Sequence, residues 1–209
     1  MGDDARQSAF LTALTTEHFV LQTAASSTIS EAAVRSSLYV FALSSSVVAM
    51  GFTSQSPDAF GPFVAAVLPA VFLLGVFTVV RLVDTVLENS QYLVGIARIR
   101  GYYRTLSPEA ETYFAAETGR WPESAAAPAL ALGPTLAFLG TTASMIAFIN
   151  SVVAGAGIAL LVVALLGDDQ VTIGLICAVI AVVLLMMIFL IYERWRFSGL
   201  DIAARPMKD

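Results

Sequence analysis

Six polar side chains lie inside long stretches of the chain that carry no charge. These stretches are Ser36–Pro57, Ala59–Val80, Ser124–Gly167 and Gln170–Tyr192. A transmembrane helix needs about 20 mostly apolar residues, so each stretch is long enough to cross a bilayer. Hydroxyl and amide groups at that depth either hydrogen-bond between helices or contact water and ions in a pore. The six residues are Ser37, Ser44, Thr141, Ser144, Asn150 and Ser151.

The spacing of these side chains assigns them to two helix faces. Ser37 and Ser44 are seven residues apart, and Ser30 continues the same step towards the N-terminus. In the third stretch small residues recur at steps of three and four, which lets helix backbones approach closely. Two interpretations stay open for both faces: packing between helices, or the polar lining of a pore. The small residues of the third stretch are Gly140, Ser144, Ala147, Ser151 and Ala154.

Charged residues cluster where the second and fourth stretches end. Arg81, Asp84 and Glu88 fall at steps of three and four and share a helix face. Such a cluster is either a solvated, self-paired face or, in an oligomer, a charged ring at a cytoplasmic pore mouth. A second group of basic residues adjoins aromatic side chains, which favours contact with lipid headgroups or with another anion. This group consists of Arg98, Arg100, Arg104, Arg194 and Arg196.

The residue types that most enzymes require are scarce. The single histidine, His18, has no cysteine or histidine near it in sequence, and the single cysteine, Cys177, lies within the fourth stretch. No glycine-rich phosphate loop and no GxSxG motif occurs, so we expect no enzyme, no metal site and no cofactor. No pair of acidic residues lies at membrane depth, which argues against a proton-coupled transporter. The basic clusters are too sparse to indicate nucleic-acid binding.

The distribution of charge predicts the orientation of the chain. All 11 Lys and Arg residues lie before the first stretch, between the second and third, or after the fourth. Cytoplasmic loops carry the excess of Lys and Arg, so both termini and the central segment are expected in the cytoplasm. We therefore expect a multi-pass protein of the plasma (inner) membrane with almost nothing on the outer face. Arginine outnumbers lysine ten to one, which suggests a bacterial source.

The predicted fold is all-α, with four transmembrane helices and helical cytoplasmic extensions. We expect an amphipathic helix over 7–34 that runs into the first span without a break. The second span should begin near Gly61 with Pro62 in its first turn, kink at Pro69 and continue as a helix to about Leu106. In chain order the parts are a cytoplasmic amphipathic helix (1–35), a transmembrane hairpin (36–81), a cytoplasmic helical segment (82–132), a second transmembrane hairpin (133–192) and a cytoplasmic tail (193–209).

The second half of the chain has its own helix signals. Ser107 is a good N-cap for a short helix over 107–119, because Pro108 suits the first helical position. An Ala/Pro-rich link (122–134) should lead to the third span, Thr135–Leu166. A tight turn at Gly167–Gln170 should then lead to the fourth span, Val171–Tyr192, whose uniform apolarity indicates a lipid-facing helix.

One short segment resembles part of a known class of proteins. The run Glu31-Ala-Ala-Val-Arg-Ser-Ser, followed by a Ser/Ala-rich span, is similar to the start of small bacterial transmembrane effector modules from nucleotide-signalling defence systems. The resemblance covers about the first 80 residues and the general layout. It implies helical hairpins that disrupt the membrane after assembly.

Two functional hypotheses follow. The first is an oligomeric channel or membrane-perturbing effector that is gated from the cytoplasmic side. The alternative is a membrane-embedded scaffold or regulatory subunit that docks a cytoplasmic partner through residues 82–123. The expected partners are the lipid bilayer, further copies of the chain and, in the alternative, a cytoplasmic protein.

Overall fold

The computed structural model is all-α throughout the residues that it describes, which are 2–114 and 141–203. Five α-helices and one short 3-10 turn follow one another in this part of the chain, and it contains no strand. The helices are α1 (Gly2–Thr53), α2 (Pro57–Arg104), α3 (Ala110–Tyr113), α4 (Thr142–Leu166) and α5 (Val171–Ala203), and the 3-10 turn is Asp168–Gln170.

Four of these helices are long and apolar enough to cross a membrane: α1, α2, α4 and α5. The prediction of four such helices in an all-α chain is therefore confirmed. Two of them exceed the length of about 20 residues that a span requires, since α1 has 52 residues and α2 has 48. The predicted N-terminal helix does continue into the first apolar stretch without a break.

Helix ends follow local capping chemistry, which corrects one predicted boundary. The second long helix begins at Pro57 and not near Gly61, so Pro62 and Pro69 both lie inside it. Pro57 itself takes the first helical position, where a missing N–H group is no loss. At the other end of the chain, Gly167 closes α4 with φ of 104°, a conformation that side chains other than glycine rarely adopt.

The short helix after α2 is smaller in the described residues than the sequence predicts. Only Ala110–Tyr113 is helical, although Ser107 acts as the predicted cap by accepting a hydrogen bond from the Ala110 N–H group at 3.2 Å. The remaining predicted helix (115–119), the link (122–134) and the predicted start of the third span (135–140) lie outside the described residues. Within them, the third apolar helix begins at Thr142.

The chain forms two compact units, and α1 and α2 contribute one part to each. The first, here called the arm unit, comprises the described residues 2–31, 85–114 and 200–203. Its helices run antiparallel, because contacts that move forward along α1 move backward along α2. Phe10 and Tyr102 meet edge to face at 5.3 Å between ring centroids, Leu21 lies against Gly95, and Thr28 donates to Asn89 Oδ1 at 3.3 Å.

The second unit, here called the span unit, comprises the described residues 32–84 and 141–199. In it α4 and α5 pack closely through glycine. A Cβ atom at Gly155 would lie 2.8 Å from Val182 Cγ2, and one at Gly174 would lie 3.0 Å from the Ala159 carbonyl oxygen. Small residues thus allow the backbones to approach, as they do in helix pairs of membrane proteins. The predicted small-residue face of α4 is also buried: Ser144, Ala147 and Ser151 are each at most 5% exposed.

Candidate functional site

The interior of the span unit contains a hydrogen bond between two distant helices. Tyr39 on α1 donates its hydroxyl to Asn150 Oδ1 on α4 at 3.1 Å. Tyr39 is completely buried and Asn150 is 5% exposed. A buried amide without a partner would be destabilising, so this bond satisfies a group that apolar surroundings would otherwise penalise.

Gly75 on α2 completes this contact. A Cβ atom built at position 75 would lie 2.0 Å from Asn150 Oδ1, which no side chain could tolerate without movement. The absence of a side chain at Gly75 therefore makes room for the amide that Tyr39 binds. Three helices meet at one polar side chain, and this geometry supports the packing interpretation of Asn150.

A second polar cluster lies where α4 begins. Thr141 is the N-cap residue of α4, and its hydroxyl oxygen accepts a hydrogen bond from the Ser144 N–H group at 3.1 Å. The Thr141 and Ser144 hydroxyl oxygens are 2.8 Å apart. Thr141 also hydrogen-bonds to the side chain of Glu193 on α5, and Glu193 is only 2% exposed. Thr141, which is itself bonded to Ser144, thus meets a carboxyl group that the sequence analysis did not single out.

Asp84 forms an ion pair that the sequence could not assign. Its carboxylate accepts a hydrogen bond from Arg196 on α5, so the predicted cluster of Arg81, Asp84 and Glu88 is not simply self-paired. Arg81 is half-buried and belongs to the span unit, whereas Glu88 is half-buried and belongs to the arm unit. The ion pair joins α2 to α5 at the same helix end that carries Glu193.

Ser37 and Ser44 lie on the opposite side of α1 from the bundle interior. Both are exposed on the single chain. Tyr39 lies about 200° round the helix from Ser37 and is buried. Gly51 continues the step of seven, and a Cβ atom there would meet nothing within 4 Å. The six predicted polar residues therefore separate into an interior group on and next to α4 and an outward pair on α1.

The basic residues that the sequence grouped together do not share one face. Arg98 is exposed, whereas Arg100 and Arg104 are half-buried and lie on another side of α2. On α5, Arg194 is exposed and Arg196 is held by Asp84. Contact of Arg98, Arg100, Arg104 and Arg194 with an anion or with lipid headgroups stays a prediction.

Three residues of these sites were missed by the sequence analysis: Tyr39, Gly75 and Glu193. Tyr39 and Gly75 lie in apolar stretches where tyrosine and glycine are ordinary, and nothing in their spacing pairs them with Asn150. Glu193 did carry a signal, because it is the first charged residue after 23 uncharged ones. Among the described residues, no group of three or more His, Cys, Asp or Glu side chains could hold a metal ion.

Comparisons of the chain with known protein families, with curated proteins and with solved structures find no match.

Proposed function

We propose that the chain is one subunit of an oligomeric membrane channel or membrane-perturbing effector, gated from its cytoplasmic side. The observation that carries this proposal is the outward face of α1. Of the four apolar helices α1 has the lowest mean hydropathy, and only 6% of its apolar 18-residue stretch is buried, against 28%, 22% and 11% for the other three. The least apolar helix is thus the one that its own chain covers least.

A second copy of the chain would cover the face of α1 that its own chain leaves exposed. Exposed hydroxyl groups gain little from hydrocarbon, which offers no hydrogen-bond partner. Small residues at steps of seven let the backbone of a neighbouring helix approach closely. Ser37, Ser44 and Gly51 have this spacing and face away from the interior of their own chain. In a ring of subunits they would lie at the contact between copies or at the water-filled centre.

The interior polar residues take a different role in this proposal. Ser144, Asn150 and Ser151 are at most 5% exposed, and Asn150 is occupied by Tyr39. They hold the helices of one subunit together and do not line its pore. Lining is assigned to Ser37 and Ser44, with Arg81 and Asp84 near the cytoplasmic mouth.

Gating from the cytoplasmic side is supported by the continuity of α1. The helix is unbroken from Gly2 to Thr53, so residues 2–31 and the outward serines belong to one element. A ligand or protein that displaces residues 2–31 would act on the same helix that carries Ser37 and Ser44.

Cysteine cross-linking tests the proposed contact. In a Cys177→Ala background, Ser44→Cys should form disulfide-linked dimers in nanodiscs under mild oxidation. Ile180→Cys is the matched control, because Ile180 is 53% exposed on α5 but belongs to no small-residue face. Equal cross-linking of both variants, or none at Ser44→Cys, would contradict the assignment of α1 to the subunit contact.

Ion flux into liposomes tests the function itself. Ser44→Leu should reduce flux several-fold, since it replaces a hydroxyl with a larger apolar group, while Ile180→Leu should leave flux unchanged. A native protein that assembles but passes no ions and releases no dye would refute the channel and effector proposals together.

The scaffold alternative has weaker support in the described residues. The apolar residues of the C-terminal half of α2 that could bind a partner are already covered within the chain: Leu87, Ile96, Ala97 and Ile99 are at most 8% exposed. The apolar or aromatic side chains of this segment that remain accessible to a partner are Leu106, which is 45% exposed, and Tyr113, which is 81% exposed. A stoichiometric protein that co-purifies through residues 82–123 would favour this alternative.

A further inference from the structure

Glu193 is a carboxylic acid in a place that disfavours a carboxylate. It is 2% exposed, and its Oε2 atom is buried without a hydrogen-bond partner. Thr141 supplies one hydrogen bond to the side chain. A carboxylate offers about four lone-pair sites, so most of its hydrogen-bonding capacity is unused. Burial of an ionised carboxylate with so little compensation is strongly unfavourable.

Within the described residues, the side-chain partner that the structure gives Glu193 is Thr141, which is neutral. Arg196, one helical turn further along α5, is engaged by Asp84. Arg194 is exposed. The start of α4 does favour negative charge, because its unpaired N–H groups carry a partial positive charge. The Ser144 N–H group, however, is taken by Thr141, which reduces what this helix end can offer to Glu193.

We propose that Glu193 is a proton-binding site that holds its proton to a higher pH than an exposed glutamate does when α4 and α5 are packed as observed. The protonated acid is neutral and suits a buried position. When the proton leaves to water, the resulting carboxylate requires hydration, which the packed arrangement does not supply. Deprotonation should therefore loosen the contact between Glu193 and Thr141. This inference concerns one subunit and does not depend on the proposed function.

The other charged groups of the span unit lie on α1, on α2, in the 3-10 turn and on α5. On α1 the charged residue of this unit is Arg35, and on α2 the charged residues are Asp58, Arg81 and Asp84. The 3-10 turn contains Asp168 and Asp169. No charged residue occurs on α4, and Thr141 at its start meets Glu193 as a neutral group. The sequence neighbours of Glu193 on α5 are Tyr192, Arg194 and Arg196.

Infrared spectroscopy of the full chain in nanodiscs tests the proposal directly. A protonated carboxylic acid has its own carbonyl stretching band, which an ionised carboxylate lacks. At mildly acidic pH, where exposed carboxylates are still largely ionised, the native protein should show this band, and Glu193→Gln should remove it. Glu17→Gln, at an exposed carboxylate on α1, and Asp84→Asn should both leave it in place. No band in the native protein, or a band that survives Glu193→Gln, would overturn the proposal and make Glu193 an ionised partner of the α4 N-terminus.

The pH dependence of thermal unfolding provides a second readout on the native protein. If the packed state binds a proton that the unfolded chain releases, stability is greatest at acidic pH and falls as the pH rises through the range in which Glu193 deprotonates. Glu193→Gln keeps the shape of the side chain and stays neutral, so its stability should not fall in that range. A native protein whose stability does not fall there, or a variant whose stability falls to the same extent, contradicts the proposal.

Discussion

Asn150 lies at a point where three helices meet, and its surroundings identify what the side chain does. Tyr39 donates to it, and Gly75 leaves the space that it occupies. In a bilayer such a bond contributes about 0.6 kcal/mol on average, because the unfolded chain also finds partners. A value of this size cannot stabilise a bundle alone, but it selects the rotation of each helix.

Tyr39→Phe should lower the free energy of unfolding by about 0.5–1.5 kcal/mol, because it removes the donor and leaves the Asn150 oxygen without its partner. Unfolding of the reconstituted protein in a denaturing detergent would measure this. In an Asn150→Ala background the same substitution should have a smaller effect. Fully additive effects of the two substitutions would show that the bond contributes nothing.

Gly75→Ala should be more damaging than its size suggests. The added methyl group overlaps Asn150, so either the amide or the helix must shift, with an expected loss of about 1–3 kcal/mol. Gly61→Ala is the matched control on the same helix, since a Cβ atom there meets nothing within 4 Å. It should change the stability by less than about 0.5 kcal/mol. Similar effects of both substitutions would argue against close packing at Gly75.

Spacing identified part of these sites and could not identify the rest. The steps of three and four in Ser144, Ala147 and Ser151 are sufficient to predict a buried helix face, because that spacing places them on one side. They cannot predict which helix covers the face. Tyr39 and Asn150 are 111 residues apart in sequence, so only the packed chain brings them together.

At the scale of elements, the arm unit depends on a close approach between α1 and α2. Leu21 lies against Gly95, with its Cδ1 atom 2.9 Å from the position of an added Cβ. The aromatic pair of Phe10 and Tyr102 lies near the end of the same helix pair. An edge-to-face pair of this kind adds about 0.5–1.5 kcal/mol beyond the area that it buries.

Gly95→Leu should therefore separate residues 2–31 of α1 from α2. Hydrogen exchange measured by mass spectrometry should show faster exchange of backbone amides in residues 2–31, while residues 142–166 keep their protection. Gly101→Leu is the control on the same helix, because the nearest atom to an added Cβ is Arg104 Nη2 at 3.9 Å. If Gly95→Leu leaves the exchange of residues 2–31 unchanged, the contact between Leu21 and Gly95 does not hold this segment against α2.

Helix boundaries show how far local signals extend. Gaps in the charge pattern located all four apolar helices, because a charged side chain in hydrocarbon is costly wherever it occurs. The second long helix begins at Pro57, and Asp58 lies in its first turn, where an acidic residue is favourable. A charged residue at the end of an apolar stretch ordinarily meets water, so the sequence alone does not predict that Glu193 is buried.

In the molecule as a whole, a single chain leaves polar side chains of α1 uncovered. Ser37 and Ser44 are exposed on the single chain together with large apolar side chains such as Phe41, which is 73% exposed. The sequence predicted that these serines share a face. It could not predict that the face points outward, since periodicity does not identify what a face contacts.

Replacement of both serines should weaken the assembly. Ser37→Leu with Ser44→Leu fills the space through which a neighbouring helix would approach, so the assembly should shift towards smaller species. Ile180→Leu should leave the distribution unchanged, because Ile180 is assigned to lipid. A double variant with the native distribution would remove the serine face from the subunit contact.

The oligomeric state of the native protein in nanodiscs, measured by native mass spectrometry, decides whether copies of the chain assemble through α1. We predict a closed assembly of four or more subunits, because a ring of that size can enclose a water-filled path between copies of α1. A monomer would contradict the proposed function, since the proposed path forms only between copies of α1.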